Sequence, residues 1–327
     1  MKRLILFLLL AVAVLFTASL VIGPAGAPVG RSLSALFSDD HGPLSMVMRE
    51  IRLPRALLGL MIGVSLGMAG AGMQGYLRNP LADPGLIGVS GSAALGAVLA
   101  IHTGLSAAFV LGLPLAALAG ALAGVFLVMA LAGPRGGSLT LILAGIAISS
   151  LASALSSLVL NLSPNPFAAN EIVFWMMGSL ADRSMTHVWL ALPLMALGWL
   201  LLASLPRGLD ALTLGEDAAE AMGVNLTRLR LKLVIGTAAA VGAATAVAGA
   251  IGFVGLVVPH ILRPYVGARP GRLVWASALG GAVMVLASDI TVRLILPTQD
   301  LKLGVLTALV GAPLFLHLIY KTRRAEA

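Results

Sequence analysis

The chain has 327 residues, of which 59% are hydrophobic and 10% charged, with a net charge of +8 and no cysteine. A soluble domain carries about 25% charged residues, so a mean hydropathy of +1.02 makes lipid the solvent for this chain. The positive charge sits in short loops between apolar runs, which marks membrane topology rather than a nucleic-acid partner, and the missing cysteines exclude disulfides, thiolate metal sites and thiol catalysis.

Lys2 and Arg3 open the chain, and an apolar run from Leu4 to Ile22 follows, ending near Ala25-Gly26-Ala27. The pattern resembles a cleaved signal peptide, but the run is long enough to span a bilayer and signal cores are shorter. A retained first helix is expected. Further apolar runs cover 56–75, 86–102, 107–132, 139–161, 186–204, 233–259, 273–290 and 303–320. The run at 233–259 is long for one span and short for two. If it is one span, Arg263, Arg269 and Arg272 fall outside, as do Lys321, Arg323 and Arg324. If it folds back near Gly249–Gly252, both basic clusters return inside, as the positive-inside rule requires. The expectation is therefore an all-α polytopic membrane protein with ten transmembrane helices, one membrane domain over 1–327, and both termini in the cytoplasm.

In that topology Arg31, Arg49, Arg52 and Arg55 lie outside, a local breach of the rule just where the second span begins. Ala69-Gly70-Ala71 precedes Pro80 as Ala248-Gly249-Ala250 precedes Pro259, at an offset of 179 residues that also relates Gly63 to Gly242 and Gly88 to Gly267. The two copies run in opposite directions, which predicts an inverted repeat over about 56–161 and 233–320, the build of many transporters. Gly59, Gly63 and Gly67 recur every four residues along the second span, a spacing for close helix packing.

The loop from Pro206 to Lys232 is the longest expected on the cytoplasmic side. A short helix is predicted to start at Thr213 or Gly215, with acidic residues in its first turn and Gly223 at its end. Asn79-Pro80 and Asp83-Pro84 predict a tight turn after the second span. No glycine precedes Lys2, Lys232, Lys302 or Lys321, so the chain lacks a P-loop and cannot hydrolyse ATP by that device. Coupling to an ion gradient needs ionisable groups in the membrane. Asp289 is the candidate, but Arg293 four residues on predicts an ion pair instead. His41, His102, His187, His260 and His317 are dispersed, with no metal or haem pair, and Met176 and Met177 suit packing. No His-Glu-x-x-His is present, and no catalytic residue and no metal site is assigned.

Six segments together carry a resemblance. They are Ile51-Arg52-Leu53-Pro54-Arg55, Asn79-Pro80-Leu81-Ala82-Asp83-Pro84, Trp175-Met176-Met177-Gly178, Leu214-Gly215-Glu216-Asp217-Ala218-Ala219, Gly252 to Arg263, and Gly304 to Phe315 with Gly311-Ala312-Pro313. In this order and spacing the chain resembles the permease family of ABC importers for iron chelates, haem and cobalamin, over nearly its whole length. Lys302 stands where the family usually has proline, and Ser288-Asp289 replaces a more usual Ala-Asp. The resemblance implies a homodimer in the bacterial inner membrane with a passage on the twofold axis. It implies two separate ATPase subunits, which bind the ATP and Mg, leaving no cofactor in this chain, and a periplasmic binding protein that delivers the solute. It further implies a cytoplasmic gate at Asn79, Leu81, Ser138 and Leu139. The ATPase-coupling helix would lie at Leu214, Gly215, Glu216, Asp217, Ala218 and Ala219, and the binding protein would dock at Arg52, Arg55 and Arg293. The cargo classes rank as ferric siderophore, haem, then cobalamin. The alternative is a secondary transporter with inverted repeats.

Overall fold

The computed structural model describes residues 1–23, 28–37, 42–133, 137–163, 165–295 and 301–326. Every regular element among them is helical: α1 Lys2–Val21, α2 Val29–Phe37, α3 Pro43–Met46, α4 Leu53–Tyr76, α5 Val89–His102, α6 Leu105–Ala108, α7 Gly112–Ala132 and α8 Ser138–Asn161. There follow α9 Pro166–Met176, α10 Met185–Ala203, α11 Pro206–Leu212, α12 Glu216–Ala221, α13 Leu226–Ala248, α14 Val254–Leu262, α15 Pro270–Ile295 and α16 Leu303–Glu326. Among the described residues seven helices are long and apolar enough to cross a membrane, and α5 and the Leu303–His317 part of α16 are shorter apolar helices. Each apolar run of the sequence becomes a helix.

The run at 233–259 divides as its charge pattern predicts. Gly249 closes α13 with φ 75° and Phe253 opens α14 with φ 66°. A left-handed backbone ends a helix and favours glycine; Phe253 adopts it without that freedom. At nine residues α14 is too short to cross a bilayer alone at 1.5 Å per residue. The helix α9, eleven residues long, lies outside the apolar runs of the sequence.

The centre of the bundle is α4 against α15. Gly63 and Gly281 face each other so closely that a Cβ on either would strike the other's backbone carbonyl, and Gly67 meets the Ser277 carbonyl in the same way. The glycine stripe is thus a packing device: without side chains the two backbones approach and their dispersion contacts multiply. Trp199 of α10 donates to the Ser65 hydroxyl at 2.9 Å, which satisfies the buried indole N–H. Two segments related by the offset of 179 share local geometry. Pro84–Ile87 and Pro264–Val266 are both 3-10 turns ending in a left-handed glycine, Gly88 and Gly267, ahead of α5 and α15. The correspondence breaks at Gly70, which lies inside α4, while Gly249 interrupts its helix.

Candidate functional site

At the Tyr76 end of α4 the chain makes the predicted turn. The Asn79 side chain accepts from Leu81 N–H at 2.9 Å, and Asp83 caps the following 3-10 turn by accepting from Gly85 N–H at 2.8 Å. Desolvation pushes the Asp83 carboxyl above its usual range, and the Gly85 hydrogen bond opposes the shift. Asn79 therefore shapes the turn, while Leu81 is left 37% exposed against a cavity. Ser138 and Leu139 begin α8, with Leu139 69% exposed; they do not line that cavity. Within one chain the structure joins Asn79 to Leu81 but keeps the second pair apart. Gly145 of α8 nonetheless packs on the Leu86 carbonyl, so α8 rests on the same turn.

Two cavities lie along α16. One, about 570 Å³, is walled by Met176, Met177, Ala250, Gly304, Leu309 and Pro313 among others. The second, about 190 Å³, is walled by Pro80, Leu81, Leu256, Val257, His260, Ile261, Leu314, Phe315 and His317. The first takes its walls from α9, the α13–α14 break and the start of α16; the second from the turn, α14 and the later part of α16. The break itself runs from the α9 end of the bundle toward the Tyr76 end of α4. Ala248 carbonyl accepts from Ser179 N–H at 2.7 Å, whereas Gly255 packs on Gly70, Leu66 and Pro84. Non-helical backbone among apolar spans is tolerated where protein buries it or where it lines a water-filled cavity; Ile251 is buried and Gly252 exposed. Gln74, 1% exposed, holds α14 in place by donating to the Leu256 carbonyl at 3.1 Å and accepting from Arg263 at 2.8 Å.

In the long loop the predicted short helix forms as α12, between α11 and the start of α13, two helical stretches that the expected loop does not include. Gly215, with φ 106°, opens α12, Glu216 and Asp217 fill its first turn, and Gly223 follows with φ 83°. Leu214 and Met222 are exposed on either side of it, and Ala219 is fully buried. Glu216 reaches Arg78, the residue before Asn79, at 3.9 Å. Asp210 is not a solvated charge of this loop, since it accepts from Gly271 N–H at 2.8 Å and so caps the start of α15.

At the opposite, Leu53 end the three arginines have separate employments. Arg52 is 4% exposed, and donates to the Leu20 and Val21 carbonyls at 3.0 and 2.8 Å. A π-helical segment, Val47–Arg52, precedes α4 and its extra residue per turn changes the direction in which Arg52 leaves the helix. Arg55 and Arg293 share Asp289: Arg55 Nη2 lies 2.9 Å from one oxygen and Arg293 Nη2 2.9 Å from the other. Arg293 also donates to the Ser19 and Ile22 carbonyls, each at 2.9 Å. The last carbonyls of α1, which have no helical partner, are thus taken by Arg52 and Arg293. The Asp289–Arg293 pair was legible in the sequence; the burial of Arg52 and the entry of Arg55 into the pair were not.

The FecCD transport family matches residues 9–321. The Fe(3+) dicitrate transport system permease protein FecD of Escherichia coli strain K12 is 37% identical over 320 residues, 98% of this chain and 99% of that one. The vitamin B12 import system permease protein BtuC of Klebsiella pneumoniae is 39% identical over 97% of this chain and 93% of its own length. Among solved structures, one described as an inward-facing conformation of a metal-chelate type ABC transporter superposes with a TM-score of 0.86. It is 33% identical and covers 98% of this chain and 100% of its own. The chain therefore belongs to the FecCD transport family and is the membrane permease of an ABC importer.

Proposed function

We propose that the chain, paired with a second copy in the bacterial inner membrane, forms the passage for a metal-centred chelate, with a ferric chelate ranked before haem and cobalamin. The observation that carries it is the pair of cavities stacked along α16 on either side of Pro313. Near-full-length likenesses to a ferric dicitrate permease and to a vitamin B12 permease support the cargo class. In this reading residues 1–327 are one permease domain of ten spans: α1, α4, α5, α7, α8, α10, α13, α14 together with the non-helical stretch before it, α15 and α16. The halves at about 56–161 and 233–320 form an inverted repeat, and both termini face the cytoplasm. Two ATPase subunits bind ATP and Mg and hold the surface from Leu214 to Ala219; the chain itself carries no cofactor. The Arg78–Glu216 contact links that surface to the gate at Asn79 and Leu81, with Ser138 and Leu139 closing from α8. Apolar side chains such as Leu81 and Leu139 shut a narrow passage by excluding water. A binding protein docks on the outer face beside Arg55 and Arg293, the less deeply buried members of the arginine group, while Arg52 fastens α1 beneath them.

Asp289, the clearest candidate for ion coupling, has both oxygens engaged by arginines, which favours ATP as the energy source. The test is uptake by liposomes holding the permease with its ATPase and binding protein. Ferric dicitrate, haem and cobalamin are offered in parallel, with and without internal ATP. Accumulation of the ferric chelate only with ATP and both partners is expected. Accumulation driven by an ion gradient without the ATPase would sink the proposal.

A further inference from the structure

We propose that His260 and His317 together form a coordination site for a first-row transition-metal centre with an exchangeable position, at the mouth beside Leu81. It rests on the assignment of this cavity to the transport path, though its own test does not. The two histidines are remote in sequence, one near the end of α14 and one on α16, yet both line the same cavity of about 190 Å³. The other walls, Pro80, Leu81, Leu256, Val257, Ile261, Leu314 and Phe315, offer no side chain that coordinates a metal. The imidazoles are the ligating side chains in an otherwise apolar chamber, and imidazole suits zinc, copper, iron and nickel.

Volume and ligand count define what fits. At about 30 Å³ per water, the chamber has room for an ion with a few waters or small carboxylate ligands, but not for a macrocycle. Among the described residues no group of three or more His, Cys, Asp or Glu could hold a metal. Two protein ligands leave the remaining positions to water or to ligands that arrive with the metal. Structural sites close with four protein ligands. An open two-imidazole site binds more weakly and exchanges, which suits a stop on a path. Occupation would also bridge α14 to α16 across the cavity next to the turn.

The experiment uses the tag-free permease in lipid nanodiscs. Cobalt(II) is titrated by visible absorption and calorimetry, and ferric citrate by equilibrium dialysis with radioactive iron. Saturable binding of at least one probe is expected, weakened at least tenfold in His260→Gln and in His317→Gln and unchanged in His102→Gln. Binding of cobalt alone assigns the site to a free ion; binding of both extends it to a chelated metal. No saturable binding of either probe, or binding that survives both substitutions, overturns the proposal. If His260→Gln misfolds on size exclusion, His317→Gln, whose side chain is exposed, decides alone. Failed uptake in liposomes with intact cobalt binding would reject the transport assignment and leave this site standing.

Discussion

Helices α4 and α8 are equal in length at 24 residues and similarly apolar, yet they live differently. In the continuous stretch Pro43–Tyr76 that contains α4, 83% of the apolar window is buried inside the protein; in α8 the figure is 28%. Composition alone reads both as spans, because protein interior and lipid make the same demand on a side chain. What separates them is glycine placement. The Gly63–Gly281 contact lets α4 and α15 touch backbone to backbone, while α8 presents Leu139, Leu143, Ile146 and Leu151 outward. A tight, small-residue hub thus carries outer helices whose exposed faces are available to lipid or to a partner chain.

The largest effect that would break this contrast is Gly63→Leu. Its side chain would enter the space of the Gly281 carbonyl and Ala282 backbone. Overpacking usually costs about 1–3 kcal/mol where side chains can yield, and backbone cannot. Loss of the monodisperse peak on size exclusion is expected; a well-folded variant with normal thermal stability would show that the hub is looser than described.

Next in size is Asp289→Asn, at the Leu53 end of the hub. It leaves Arg55 and Arg293 without their shared anion. Breaking one partner of a buried ion pair typically costs about 3–5 kcal/mol, with the lower end expected here because the arginines keep some exposure. A clear fall in melting temperature should be seen, with Asp289→Glu recovering part of it. A variant as stable as the parent would mean the arginines are solvated rather than paired.

Smallest is the effect on α8. Leu143→Ala with Ile146→Ala removes exposed apolar surface and should change the stability of a single chain by less than about 0.5 kcal/mol each, as for surface sites. If that face meets the second copy, dimer dissociation in detergent should rise, measured by light scattering across a dilution series. Equal dimer content in both proteins would assign the face to lipid.

Much of this architecture was legible because its signals are local. Apolar runs gave the helices, and loop charge placed the break at Gly249. The Leu214–Gly223 spacing gave α12 with its capping glycine. What escaped notice depends on distance or direction. Arg55 and Asp289 are 234 positions apart, so no spacing rule connects them, whereas Arg293 lies within one helical turn. The burial of Arg52 follows from the π-helical turn before Leu53 and the α1 carbonyls it meets, neither of which a spacing rule reveals. The helix α9 was missed because Glu171 and Asn170 interrupt its apolar pattern over only eleven residues.

The clasp on the end of α1 also sets an order of events during synthesis. Ser19 and Arg293 are separated by 274 residues, and at about 5–20 residues per second the ribosome needs roughly 15 to 55 seconds to cover that distance. Throughout that interval α1 must lodge in the bilayer with its Ser19 and Ile22 carbonyls, the two that Arg293 takes, met by water and headgroups at the membrane surface. Closing this clasp is therefore among the later steps of assembly, and in a nascent chain halted before Arg293 the end carbonyls of α1 would be held by Arg52 alone.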